Sequence, residues 1–61
     1  MGTYRKGQQV IVATTTIQRT SGAAWRGERG VIVEETGDGY KVRFPSGFVA
    51  DRVKDHEIQQ A

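Results

Sequence analysis

No cysteine occurs in this 61-residue chain, which excludes disulfide cross-links and thiolate metal ligands together. Histidine is nearly absent too: His56 stands alone and cannot build an imidazole site, so no metal is expected. Long apolar runs are missing. None approaches the roughly 18 residues of a membrane-spanning helix, and no membrane association is expected. The opening Met1-Gly2-Thr3-Tyr4-Arg5-Lys6 has no apolar stretch of the kind a secretory signal needs, which makes a cytoplasmic location the expectation. Acidic residues are scarce in the first half. Glu28 alone precedes Glu34, against Arg5, Lys6, Arg19, Arg26 and Arg29, although the net charge is only +2. This asymmetry reads either as a basic face that attracts phosphates or as ordinary solubilising charge.

Nowhere does an apolar period of 3.6 residues persist, so a helical domain is not expected. Short β-branched runs separated by glycine dominate instead. Gln8-Gln9-Val10-Ile11-Val12-Ala13 reads as a first strand entered through Gly7. The polar stretch 14–25 reads as a long loop or a ragged hairpin. Arg29 to Glu35 predicts a second strand, with Val31 and Val33 on one face and Ile32 on the other. Thr36-Gly37-Asp38-Gly39 then reverses the chain, the Asp-Gly pair offering the positive φ angles of a tight turn.

Strict alternation follows in Tyr40-Lys41-Val42-Arg43-Phe44, and with Phe48 the apolar members form an inward face. Pro45-Ser46-Gly47 predicts another turn, Phe48 to Val53 a fourth strand, and Lys54-Asp55-His56 one helical turn before Glu57-Ile58 closes the sheet. Residues 1–6 are expected as an extended or disordered lead and 7–59 as a single domain. A core this small is marginal by itself, and without disulfides or metal the remaining aid is self-association.

Five short strands in this order, with a long first connection and a late helical turn, look like the SH3-like barrel, so the expected fold class is all-β, a small five-stranded SH3-like barrel. That superfold hosts many activities. Within it, Gly27-Glu28-Arg29-Gly30-Val31-Ile32-Val33 resembles the Gly-x-x-Gly-x-Val heart of KOW motifs, which implies RNA binding through Arg26, Arg29, Lys41 and Arg43. Ser21-Gly22-Ala23-Ala24-Trp25-Arg26-Gly27 is similar to a segment of the type II, plasmid-borne dihydrofolate reductases. Thr36-Gly37-Asp38-Gly39-Tyr40-Lys41-Val42 is similar to the turn and strand of the same family.

That second resemblance implies a homotetramer with a central pore for folate and NADPH, a Val-Gln-Ile-Tyr segment on a late strand, and a lysine before the Ser-Gly-Ala-Ala-Trp segment. Ala50-Asp51-Arg52-Val53 falls opposite Val-Gln-Ile-Tyr and keeps none of its side chains, whereas Arg19 keeps the cation. Four copies of Asp51 around one pore would repel one another and a polyanionic cofactor, with Arg52 a local counter-charge. Reductase turnover is therefore not expected, and NADPH enters only if the family's pore is retained.

His56 and Asp55 have no serine or threonine placed to complete a nucleophilic arrangement, and Gly27 and Gly30 precede a strand rather than a helix, which excludes a phosphate-cradling loop. Without a self-contained catalytic site, the leading expectation is a non-catalytic binding module for a protein or an anionic partner. Trp25 stays open among three roles: a subunit contact, as the reductase resemblance implies, core packing, or ligand stacking. Arg19, Trp25, Arg26, Arg29, Lys41, Arg43, Asp51 and Arg52 are the candidate binding residues. Lys41, Arg43 and Arg52 read as a basic stripe or as a solvated face. Nucleic acid stands beside protein as a partner class.

Overall fold

The apolar residues of this chain come in runs of two to four, too short for helices and suited to strands that bury one face. The computed structural model describes residues 4–61 and bears this out. Its strands are β1 (Gln9–Val12), β2 (Thr16–Arg19), β3 (Gly22–Trp25), β4 (Arg29–Thr36), β5 (Gly39–Arg43), β6 (Val49–Val53) and β7 (Ile58–Gln60). One 3-10 turn, Asp55–Glu57, precedes β7. The protein is thus all-β among the described residues. A five-stranded antiparallel sheet has the order β6-β5-β4-β1-β7, and β2 and β3 form a separate hairpin.

The stretch between the first and second predicted strands is that hairpin. Thr16 pairs with Trp25 and Arg19 with Gly22, leaving Thr20 and Ser21 at the tip. Ile17 and Ala24, opposite each other in it, are both fully buried, which explains how a mostly polar segment folds as strand: it needs only two apolar side chains to anchor it. The hairpin at Thr36 also differs in detail from the sequence reading. Thr36 pairs with Gly39 around Gly37 and Asp38, and of the Asp-Gly pair only Gly39 takes a positive φ. A Cβ there would stand 2.5 Å from the Val53 carbonyl oxygen, so the close approach of β5 to β6 requires glycine.

Every buried side chain among the described residues is aliphatic or aromatic. Val10 and Val12 of β1, Ile32 of β4, Tyr40 and Val42 of β5, and Ala50 and Val53 of β6 face inward with Ile17, Ala24, Phe44, Phe48 and Ile58. Each fully buried aliphatic or aromatic side chain contributes about 1.5–3 kcal/mol. The Phe44 and Phe48 rings stack at 5.7 Å across the Pro45-Ser46 turn. Tyr4, within the expected lead, joins this core. Its ring meets Tyr40 edge-on at 5.6 Å, its N–H donates to the Tyr40 hydroxyl, and its own hydroxyl donates to the Ile58 carbonyl. The first three residues of that lead lie outside the described residues.

Two register shifts interrupt the sheet. One lies in β4 between Ile32 and Glu34, so that Val33 is the extra residue opposite β5. The other lies in β6, where Tyr40 pairs with Val53 but Val42 pairs with Ala50, leaving Asp51 and Arg52 together opposite Lys41. Gly30 supplies a third constraint, because a Cβ at that position would stand 2.6 Å from a Val42 methyl and 3.0 Å from the Phe44 ring. Gly30→Ala is expected to lower stability by about 1–3 kcal/mol through overpacking, measured by urea unfolding, although alanine has the better strand propensity.

Candidate anion-binding face

Strand register decides which outward side chains become neighbours. Gln9 on β1 pairs with Val31 on β4, Val31 with Arg43 on β5, and Arg43 with Val49 on β6. These four side chains form one row across the outer face of the sheet, all exposed. Arg29 lies two residues before Val31 on the same face, which makes it the diagonal neighbour of Arg43, at roughly 7–8 Å between such positions. Between the two arginines opens a cleft of about 380 Å³ lined by Gln9, Arg29, Gly30, Val31, Arg43, Phe44 and Pro45. Its wall combines two guanidinium groups and one neutral amide with an apolar surface. No carboxylate lines it.

Ion pairing separates the remaining candidates. Lys41 Nζ lies 3.4 Å from Glu34 on the adjacent strand. Asp51 sits between two cations, 3.4 Å from Arg19 Nε and 3.8 Å from Arg52 Nε. The stripe read from Lys41, Arg43 and Arg52 is therefore broken: its first and last members have acidic partners, and Arg43 joins Arg29 instead. Among the described residues no ion pair involves Arg26, Arg29 or Arg43. Glu28, the acidic residue nearest in the chain to Arg26 and Arg29, turns its carboxylate to accept the Trp25 N–H at 2.5 Å and closes the turn before β4. Arg26 sits in that turn, its N–H bonded to the Thr15 carbonyl.

Arg19 has a structural task. Its guanidinium donates from Nε to the Asp51 carbonyl at 2.9 Å, from one terminal nitrogen to the Arg52 carbonyl at 3.3 Å, and from the other to Gln18 at 2.7 Å. Those first two carbonyls belong to the β6 bulge, where the extra residue leaves the ladder unpaired. The cation read from sequence as a ligand contact thus ties the β2–β3 hairpin to β6. The same bulge fixes the fate of Ala50-Asp51-Arg52-Val53: Ala50 and Val53 are fully buried, while Asp51 and Arg52 both face solvent. A second cleft of about 330 Å³ lies here, lined by Arg19, Thr20, Ser21, Lys41, Val49, Asp51 and Arg52. Its charges are largely satisfied by one another.

Trp25 is 59% exposed, which removes the core reading and leaves contact or stacking. Sequence reasoning found Arg29 and Arg43 but missed Gln9, Val31, Pro45 and Val49. Alternation in the sequence already set Val31 on the face opposite Ile32, and the burial of Gly30 and Ile32 in the fold makes Val31's face the outward one.

Arg52 adopts φ +51°, in the left-handed region that a side chain with a Cβ resists. At an ordinary strand position glycine is worse than alanine, but here the order should invert. Arg52→Gly is expected to be about 0.5–1 kcal/mol more stable than Arg52→Ala in thermal unfolding; the reverse order would show that residue 52 is not held left-handed in solution.

Comparison of the chain with protein-family models, with curated proteins and with solved structures finds no match, so a functional reading rests on the geometry of this face.

Proposed function

We propose that this chain is a small, non-catalytic SH3-like binding module that takes a negatively charged partner at the Arg29–Arg43 cleft. The strand order supports the fold reading: the last strand returns beside the first, a hairpin fills the first connection, and a 3-10 turn precedes the final strand. The observation that carries the functional reading is the pair of guanidinium groups on adjacent strands, without a counter-ion, facing one cleft that has no carboxylate in its wall. Guanidinium forks match carboxylate and phosphate oxygens alike and lose little water on binding them. The nearby acidic groups are already engaged, Glu34 by Lys41, Asp51 by Arg19 and Glu28 by a backbone N–H, so the field at the cleft is set by its arginines.

Fluorescence anisotropy with a fluorescein-labelled hexaglutamate probe tests this directly. Arg29→Gln and Arg43→Gln are each expected to weaken binding about tenfold, as loss of a charge-assisted hydrogen bond does. Lys41→Gln, which removes a cation already paired, is expected to change it less than about threefold. Equal effects at all three positions would mean that the probe senses net charge and not the cleft.

Self-association belongs to the same proposal, supported by Trp25, the largest exposed apolar side chain, at the base of the β2–β3 hairpin. Light scattering is expected to give a mass above that of the monomer for the wild-type chain and the monomer mass for Trp25→Ala, whose melting temperature should fall and lose its dependence on protein concentration because the folded subunit no longer gains from association. A monomeric wild type at every accessible concentration removes this part of the proposal.

A further inference from the structure

We infer that the row Val31–Arg43–Val49, with Arg29 at its side, docks a helical segment of a protein partner that presents one carboxylate between two aliphatic side chains. The inference rests on the anion-binding reading above and specifies its ligand.

Three large apolar side chains are exposed among the described residues, and two of them flank Arg43 in register: Val31 at 38% on one side and Val49 at 37% on the other. An aliphatic side chain at a solvated strand face is ordinary when isolated. Two of them bracketing an unpaired guanidinium on three consecutive strands make a pattern of apolar, cationic and apolar contacts whose complement is aliphatic, acidic and aliphatic. A carboxylate placed over Arg43 also reaches the cleft where Arg29 and the Gln9 amide wait as further donors.

Spacing selects the conformation of the partner. Adjacent strands lie about 4.8 Å apart, so Val31 and Val49 are separated by roughly 10 Å with Arg43 midway. In a helix, side chains at i, i+4 and i+7 share a face and span about 10.5 Å at 1.5 Å per residue. In an extended segment same-face side chains recur every two residues, so three of them span roughly 13 Å and overshoot the row. The helix fits.

Nucleic acid fits less well. The next row on the same face, Glu34, Lys41 and the bulged Asp51, has its charges paired with one another and with Arg19, so no strip of free cations continues from the site to follow a ligand whose charges repeat along its length. Single strands are also held by stacking on exposed rings, whereas the ring that lines the cleft, Phe44, is buried.

Three fluorescein-labelled probes decide the matter: a stapled Ala-rich helix carrying Leu, Glu and Leu at i, i+4 and i+7, the same helix with Ser replacing both Leu, and a short oligouridylate. The Leu helix is expected to bind roughly tenfold more tightly than the Ser helix. In the double variant Val31→Ser, Val49→Ser that preference should vanish while binding of the Ser helix is retained, and Arg43→Gln should weaken both helices. Circular dichroism checks that the double variant folds. Val49→Lys alone, at an edge strand where lysine is well tolerated, serves in its place if it does not, and should reduce the preference for the Leu helix. Equal binding of the two helices, or tighter binding of oligouridylate than of either, overturns the inference and leaves the anionic-partner reading standing. Binding of none of the three overturns both.

Discussion

With no disulfide and no metal cluster among the described residues, this domain depends on each strand keeping its apolar side chains on one face. Because side chains alternate with a period of two, a slip of one residue would turn a whole strand inside out. The chain meets that constraint and also breaks it twice, at the bulges of β4 and β6, where one extra residue resets the alternation. At β6 the reset lets Ala50 and Val53, three positions apart, both lie in the core while two charged residues between them face water. The carbonyls this exposes are held by Arg19, so one surface arginine joins the hairpin to the sheet and keeps the bulge in place.

The electrostatics of the face follow from the same bulges. Lys41 meets Glu34 only because Val33 has been passed over in the pairing of β4 with β5, and Asp51 meets both Arg19 and Arg52 because β6 carries an extra residue there. Exposed pairs of this kind stabilise the fold by little, about 0–1 kcal/mol each. Their larger effect is selective: they consume the acids that would otherwise quench Arg29 and Arg43. A chain with a net charge of only +2 can thereby offer a locally uncompensated pair of cations.

The cleft between those cations is shaped by packing beneath it. Gly30 lies at its base with Val42 and Phe44 pressed so close that no side chain fits, and the Pro45 turn, with its stacked Phe44 and Phe48 rings, holds one wall. The site thus sits on strands whose inner faces are fully packed, which limits the rearrangement a ligand must drive. Trp25 lies apart on the hairpin, where Glu28 closes the turn that leads from it into β4.

Much of the fold was legible in the sequence, because alternation, glycine punctuation and turn chemistry are local. Tyr40, Val42 and Phe44 announced their inward face, Pro45-Ser46-Gly47 its turn, and the helical turn before Ile58 came within a residue of its place. The polar hairpin at 16–25 stayed open between loop and strand, since its two anchors, Ile17 and Ala24, become apolar contacts only against a core built elsewhere. Of the site, sequence alone singled out the arginines by their uneven distribution but could not tell the paired from the unpaired. That distinction belongs to tertiary structure: Arg19 finds Asp51 across 32 positions, Lys41 finds Glu34 past a bulge, and Arg43 gains its flanking valines from two other strands. Residue type and local spacing determined where strands form and which face is apolar, whereas register, which only long-range packing sets, decided which charges stand free.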